Sequence, residues 1–167
     1  VIATSTNGGH MKRSTAILAL GAAFALVPTS AAFAQAYSNA LNLEMARKCI
    51  AAAEAEAKKN NWTMAISVVD DGGHLMAFAR LDNTQIASVR ISIAKARAAN
   101  NFRRPTKVFA DRAATDVSVL GLPGVITSEG GLPLVLDGKI IGAVGASGGT
   151  GQQDGVVSKA CVNNLGK

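Results

Sequence analysis

The residue with the clearest chemical potential in this sequence is His74, which directly follows an Asp-Asp-Gly-Gly segment at residues 70–73. The other histidine, His10, precedes a segment that we expect to be removed from the mature protein. An unperturbed imidazole titrates at about pH 6.5, so His74 could ligate a metal, accept a proton or bind an acid group. Alternatively, it hydrogen-bonds a backbone carbonyl and locks the turn. A zinc site is not expected, because one histidine and two separated cysteines form no recognised tetrahedral ligand set.

A cation on the following segment could join His74 in holding a carboxylate. Arg80 shares a face with Met76 and Phe78 by the two-residue period of a strand, and the same period brings in His74. Arginine can bind a carboxylate through two parallel hydrogen bonds. The alternative is a surface salt bridge from Arg80 to Asp82.

A predicted helix over residues 85–100 carries further cations. Its predicted buried stripe consists of Ile86, Val89, Ile93 and Ala96. Arg90 and Arg97 lie seven residues apart, near the edge of that stripe. Lys95 lies in an apolar stretch, where it could hold an anionic ligand. We favour the alternative that its aliphatic stem snorkels to water.

Residues 130–149 read as a glycine-rich β-hairpin with an Asp-Gly turn at residues 137–138. Gly142 and Gly145 stand where a strand would carry larger side chains. We therefore expect another backbone, a ligand or a second subunit to approach closely there.

The hairpin leads into a predicted last helix through residues 147–151, whose backbone N–H groups could bind an anion at the helix N-terminus. Asp154 in the first turn also suits the helix dipole without any ligand. The spacing matches neither the P-loop nor the dinucleotide-binding fingerprint, so no nucleotide cofactor is expected. The candidate ligand-binding residues of this region are Gly130, Gly131, Ser147, Gly148, Gly149 and Asp154.

The order of predicted elements indicates an α+β domain, because hairpins dominate and no strand–helix–strand repeat runs through the chain. The predicted elements are a helix over 43–60, strands over 63–70 and 75–81, helices over 85–100 and 107–112, a short strand near 125–127, the hairpin within 130–149, and a helix over 152–165.

The first part of the sequence predicts export to the periplasm or secretion. Residues 11–34 have the positive start, short apolar core and small-residue cleavage site of a signal peptide. The alternative is a retained anchor, although an apolar run of about 12 residues is short for a membrane-spanning helix. Residues 1–10 lie upstream of the signal, and 35–167 form a single predicted domain. The net charge is +6, but basic residues come only in doublets, so nucleic acid is not an expected partner.

Two cysteines remain in the predicted mature domain, Cys49 and Cys161, and both lie in predicted helices. An oxidising compartment permits a disulfide between them. The alternative is two buried free thiols.

Five blocks of this sequence resemble the GlcG/HbpS-like family: residues 68–75, 95–96, 130–133, 137–145, and 147–149 with Asp154. The resemblance covers nearly all of residues 41–164. It implies a profilin-like α+β fold, with a largely antiparallel sheet flanked by helices, and assembly into homo-oligomers. Family members include extracellular haem-binding proteins linked to redox sensing.

The resemblance makes haem a possible cofactor and a small molecule the expected partner. In a haem-binding protein, His74 would be the candidate iron ligand, with Arg80 or Lys95 near the propionates. Weaker axial-ligand candidates are Met45, Met64, Met76, Tyr37 and Lys95.

Two other functions compete with binding of haem or a related tetrapyrrole. One is an enzyme or sensor for a small carboxylate, which would use His74, Arg80 and Lys95. The other is a structural oligomer in which Gly142 and Gly145 permit subunit packing. We favour a binding protein over an enzyme.

Overall fold

The computed structural model describes residue 1 and residues 40–165. Every element described below lies within the compact unit Tyr37–Lys167. The predicted signal peptide and the predicted domain start at residue 35 lie outside the described residues. Among the described residues, no helix is long and apolar enough to cross a membrane.

The described chain has an α+β fold, as predicted. The elements in chain order are α1 (Leu43–Lys59), β1 (Ala65–Asp70), β2 (Leu75–Arg80), α2 (Ala87–Phe102), α3 (Lys107–Ala113), a 3-10 helix (Val117–Gly121), β3 (Gly131–Leu136), β4 (Lys139–Ser147) and α4 (Gly151–Val162). The expected short strand near residues 125–127 is wrong, because these residues form no strand and a 3-10 helix precedes them.

The four strands form one antiparallel sheet in the order β2-β1-β4-β3. Core residues of α1 and α4 pack with Ile66, Val68 and Val144 on one face, and Ala96 and Ala99 of α2 pack on the other. The β3–β4 turn has positive φ at both Asp137 (49°) and Gly138 (73°). Both central residues of a type I′ hairpin turn require this conformation, so the predicted hairpin is confirmed.

The buried face of α2 differs from the predicted stripe. The helix buries Ser88, Ser92, Lys95, Ala96, Ala98, Ala99 and Asn100. Of the predicted stripe, Ala96 is buried, whereas Ile86 is 81% exposed and Val89 and Ile93 are half-buried.

The cause is the close approach of α2 to β4. A Cβ atom added at Gly145 would overlap the carbonyl oxygen of Ser92, so only small residues fit between the helix and the sheet. The Oγ atoms of Ser67 and Ser92 lie 2.7 Å apart across this interface. Small hydroxyl and methyl side chains therefore face the sheet, and larger aliphatic side chains of α2 face outward.

Gly142 makes a second close approach within the chain itself. A Cβ there would overlap the carbonyl oxygen of Val69 and come within 2.9 Å of Leu41. The predicted close approach at Gly142 and Gly145 is thus made by the protein's own backbone. Neither position has space for a ligand or a second subunit.

Cys49 of α1 and Cys161 of α4 are joined by a disulfide. Both residues are fully buried, and 112 positions separate them in the chain. The bond therefore ties the first helix of the described fold to the last.

Candidate functional site

Lys95 and Asp154 form an ion pair inside the protein. The Nζ atom of Lys95 donates to Oδ2 of Asp154 at 2.6 Å, and the two side chains are only 1% and 3% exposed. The expectation that Lys95 snorkels to water is therefore wrong. Because α2 packs closely on the sheet, the Lys95 side chain lies beside Gly130, where Asp154 at the start of α4 neutralises its charge.

The glycines predicted to bind a ligand enclose this pair. A Cβ at Gly130 would lie 2.7 Å from Cβ of Asp154 and 3.1 Å from Nζ of Lys95. The backbone N–H of Gly131 donates to Oγ1 of Thr106 at 2.9 Å. We call this region, defined by Lys95, Asp154, Gly130, Gly131 and Gly149, the buried junction.

The predicted anion site at the start of α4 is occupied by the protein's own carboxylate. The N–H of Gly149 donates to Oδ1 of Asp154 at 3.0 Å, while Thr150 and Gln153 form a capping box. Burial raises the pKa of Asp154 above its ordinary value, and the hydrogen bonds from Lys95 and Gly149 oppose that shift. The buried junction thus satisfies its own charges and polar groups.

His74 lies at the β1–β2 turn, at the opposite end of β1 from Ser147. Its side chain is 82% exposed, and Nδ1 lies 3.3 Å from Oδ1 of Asp70. The same oxygen accepts the backbone N–H of His74 at 2.8 Å. The Nδ1 edge of the imidazole therefore faces the Asp70 carboxylate, while Nε2 has no partner among the described residues.

Arg80 lies at the far end of β2 from His74. Five residue steps along a strand separate Leu75 from Arg80, which corresponds to roughly 17 Å. The guanidinium donates to the carbonyl oxygen of Thr84 at 2.9 Å, rather than to Asp82.

The expectation that Met76, Phe78 and Arg80 share a face is wrong for Met76. Cα register places Ala77 opposite Val68 and Leu75 opposite Val69, so Met76 is an extra residue at a bulge. Phe78 lies opposite Ser67 and hence on the α2 side of the sheet, whereas Met76 packs against the core shared with α1.

Ser147 and Gly148 belong to the end of the sheet away from His74. Ser147 pairs with Ala65 at the start of β1, and its Oγ lies 3.3 Å from that of Ser88. A Cβ at Gly148 would overlap the carbonyl oxygen of Thr63. The predicted site residues therefore separate into His74, Arg80 and the buried junction with its neighbours.

An open cavity on the outer side of α2 was not among the predicted sites. It has a volume of about 450 Å³ and is lined by Arg90, Ile93, Arg97, Asn101, Gly124 and Ile126 among others. We call it the α2 outer cavity. The seven-residue spacing of Arg90 and Arg97 was visible in the sequence. Because α2 buries a different face from the predicted one, Arg90 and Arg97 lie on its exposed face and not at the edge of a buried stripe.

The α2 outer cavity is linked to the turn that carries His74. The Nε atom of Arg97 donates to the carbonyl oxygen of Gly73 at 2.9 Å. Asn100, three residues further along α2, donates from its side-chain amide to the carbonyl oxygen of Asp71 at 2.9 Å. Two hydrogen bonds thus fix residues 71–73 against α2.

A second open cavity, of about 340 Å³, lies between α1 and β2. Arg47 and Glu54 both line it, so it contains charges of both signs. In the part of the chain that the structure describes, no group of three or more His, Cys, Asp or Glu side chains could hold a metal ion.

These features define a small α+β domain in which the buried junction is neutralised internally and the α2 outer cavity carries two exposed arginines. The chain belongs to the HbpS-like family: the family model described as haem degrading protein HbpS-like matches residues 41–163. This result confirms the family expected from the sequence blocks.

Individual relatives agree with this assignment. Protein GlcG of Escherichia coli strain K12 is 46% identical over 108 residues, covering 64% of this chain and 81% of that protein. The crystal structure of HbpS matches with a TM-score of 0.71 and 25% identity, covering 98% of this chain and all of that one. A PduOC–haem complex matches with a TM-score of 0.69 and 23% identity, covering 75% of this chain and 95% of that one.

Proposed function

We propose that this protein is exported and binds haem or a related tetrapyrrole, with His74 as the residue that would ligate the iron. The observation that carries this proposal is the setting of His74. Its imidazole is exposed, and Nδ1 lies against Asp70 while Nε2 is open.

This arrangement fits a haem-iron ligand. Ligating histidines usually present one ring nitrogen to the metal and the other to a carboxylate or carbonyl, which fixes the tautomer and the ring orientation. Asp70 is in position to do this, because its Oδ1 lies 3.3 Å from Nδ1 of His74. When bound, the iron would supply any redox chemistry, and the protein would supply the ligand and the surroundings.

The weaker ligand candidates fit less well. Met64 and Lys95 are buried, and Lys95 is paired with Asp154. Met45 and Met76 pack against the core, and Tyr37 lies outside the described residues. His74 is therefore the candidate that a surface-bound tetrapyrrole reaches most directly.

The comparisons support a haem-related role. The description of the matching family refers to haem degradation, and one structure of the same fold is a haem complex. The predicted signal peptide at residues 11–34 supports export, and the disulfide is of a kind that persists in oxidising compartments. Redox sensing and assembly into homo-oligomers remain proposals that rest on the family resemblance.

The competing small-carboxylate enzyme or sensor has less support. It requires His74, Arg80 and Lys95 around one ligand, but Lys95 is buried and Arg80 lies at the other end of β2 from His74. A structural oligomer remains a proposal, without the subunit contacts expected at Gly142 and Gly145.

Titration of the mature protein with haemin, followed at the Soret band, tests the proposal. The wild type should give a saturable Soret shift at one haemin per chain. His74→Ala should remove the spectrum of a nitrogen-ligated iron and raise the Kd at least tenfold. Arg112→Ala, an exposed change on α3, is the control and should leave both quantities unchanged.

A wild-type protein that gives no Soret shift would overturn the binding function. A shift that His74→Ala leaves unchanged would overturn the ligand assignment alone. Circular dichroism of each variant shows whether the fold is retained before affinities are compared.

A further inference from the structure

The outer face of α2 has an unusual composition for the exposed side of a helix. The helix buries Ser88, Ser92 and Ala96 against the sheet, and Ile93 of the predicted buried stripe lines the α2 outer cavity instead. A surface helix normally places its aliphatic side chains toward the core. Here the floor of an open cavity is partly apolar, and Gly124 and Ile126 extend it from the loop that follows the 3-10 helix.

Two cations stand on this floor. Arg90 and Arg97 are two helical turns apart, which corresponds to roughly 10 Å along the axis. Arg97 uses its Nε atom to hold the carbonyl of Gly73, and its two Nη atoms have no partner among the described residues. Arg90 has no hydrogen-bond or ion-pair partner within residues 40–165.

The positive charge of the cavity is not compensated by its lining. Within the described part of the chain, no Asp or Glu lines the α2 outer cavity. The cavity between α1 and β2 is different, because Arg47 and Glu54 line it together. An anionic ligand is therefore favoured at the α2 outer cavity and not at its counterpart.

The combination of shape and charge defines the class of ligand. Small-molecule sites commonly have volumes of about 300–1,000 Å³, with a mainly apolar lining and a few polar groups that fix orientation. A volume of about 450 Å³ lies in this range. Arginine binds carboxylates with two parallel hydrogen bonds, so two arginines on a partly apolar floor suit an apolar molecule that carries two carboxylates.

We infer that the α2 outer cavity binds the carboxylate edge of the tetrapyrrole, with Arg90 and Arg97 each pairing with one of its carboxylates. This inference rests on the proposed function and deepens it. It replaces Arg80 and Lys95, the propionate partners expected from the sequence, with two residues on the exposed face of α2. Arg97 also connects the two parts of the site, since it holds the residue that precedes His74.

The test compares two probes, haemin and metal-free protoporphyrin IX, which has the same two carboxylates but no iron for His74 to bind. Arg90→Ala should raise the Kd of both probes about tenfold, and Arg90→Ala with Arg97→Ala should raise both by about a hundredfold. His74→Ala should weaken haemin binding and leave protoporphyrin IX binding within twofold. Arg47→Ala, in the cavity with mixed charge, is the matched control and should change neither.

Arg90→Lys, which keeps the charge without the bidentate geometry, should give an intermediate Kd. If the loss of the Gly73 hydrogen bond unfolds Arg97→Ala, Arg90→Ala and Arg90→Lys carry the test alone. Haemin binding by the wild type with the same Kd in Arg90→Ala would overturn this inference and leave the proposed function intact. Failure of the wild type to bind either probe would overturn the proposed function, and the inference with it.

Discussion

The buried junction and the α2 outer cavity both contain cations carried by α2, but the positive charge is neutralised by a carboxylate only in the buried junction. Lys95 is 1% exposed and pairs with Asp154, and the surrounding glycines let backbone and side chains close around the pair. Arg90 and Arg97 face an open cavity that no described carboxylate lines. The difference shows that glycine-rich, charge-bearing segments can build the fold, whereas the uncompensated charge of the α2 outer cavity is what the proposed anionic ligand would bind.

Removing the carboxylate of the buried junction should cause the largest loss of stability. Asp154→Ala leaves the ammonium group of Lys95 buried without a partner. Such a change typically costs about 3–5 kcal/mol, so we expect a loss of this size in the free energy of unfolding measured by urea denaturation. Asp111→Ala, which removes the partner of exposed Lys107, is the control and should cost at most about 1 kcal/mol.

A double replacement sharpens the same point. Lys95→Met with Asp154→Leu should recover most of the stability lost in Asp154→Ala, because an apolar pair needs no charge compensation. Haemin affinity should stay at the wild-type value. A folded double variant that no longer binds haemin would show that the buried junction takes part in the ligand site.

The disulfide distinguishes the two faces of the sheet, since it ties α1 to α4 and makes no link to α2. Cys49→Ala with Cys161→Ala should lower the free energy of unfolding by about 2–5 kcal/mol, because the bond closes a long loop in the unfolded chain. Urea denaturation measures this loss, and haemin affinity should not change. Two reactive thiols in the unfolded, unreduced wild type would contradict the bond.

Replacing Gly145 of β4 should cause a smaller loss of stability. Gly145→Ala places a Cβ against the carbonyl oxygen of Ser92, and this overlap should cost about 1–3 kcal/mol. Gly121→Ala is the matched control, since a Cβ there meets nothing within 4 Å and should change stability by less than about 0.5 kcal/mol. Equal thermal midpoints for the two variants would refute the account of how α2 packs.

Much of the fold follows from local signals in the sequence. Asn42 caps α1, with its Oδ1 accepting the N–H of Met45 at 2.8 Å, and asparagine is a preferred residue at this position. The Asp-Gly turn specifies the β3–β4 hairpin because its geometry depends only on the conformations that Asp137 and Gly138 adopt. These features are short-range, so no knowledge of the tertiary packing is needed to predict them.

The site could not be predicted in the same way, because its arrangement depends on long-range packing. The rotation of α2 follows from the contact of Gly145 with Ser92, 53 positions away in the chain, and it determines that Lys95 is buried and Arg90 exposed. The bulge at Met76 likewise shifts which side chains of β2 share a face. Helical and strand periods alone give neither effect.

The most direct test of the central claim is amide chemical-shift mapping of the protein with zinc protoporphyrin IX, which is diamagnetic and retains both carboxylates. The account predicts that the largest shifts fall on α2 around Arg90 and Arg97, on Gly73 and His74, and on residues 124–126. Largest shifts at Gly130, Gly131 and residues 148–149, with little change on α2, would contradict it and return the ligand site to the glycine-rich segments.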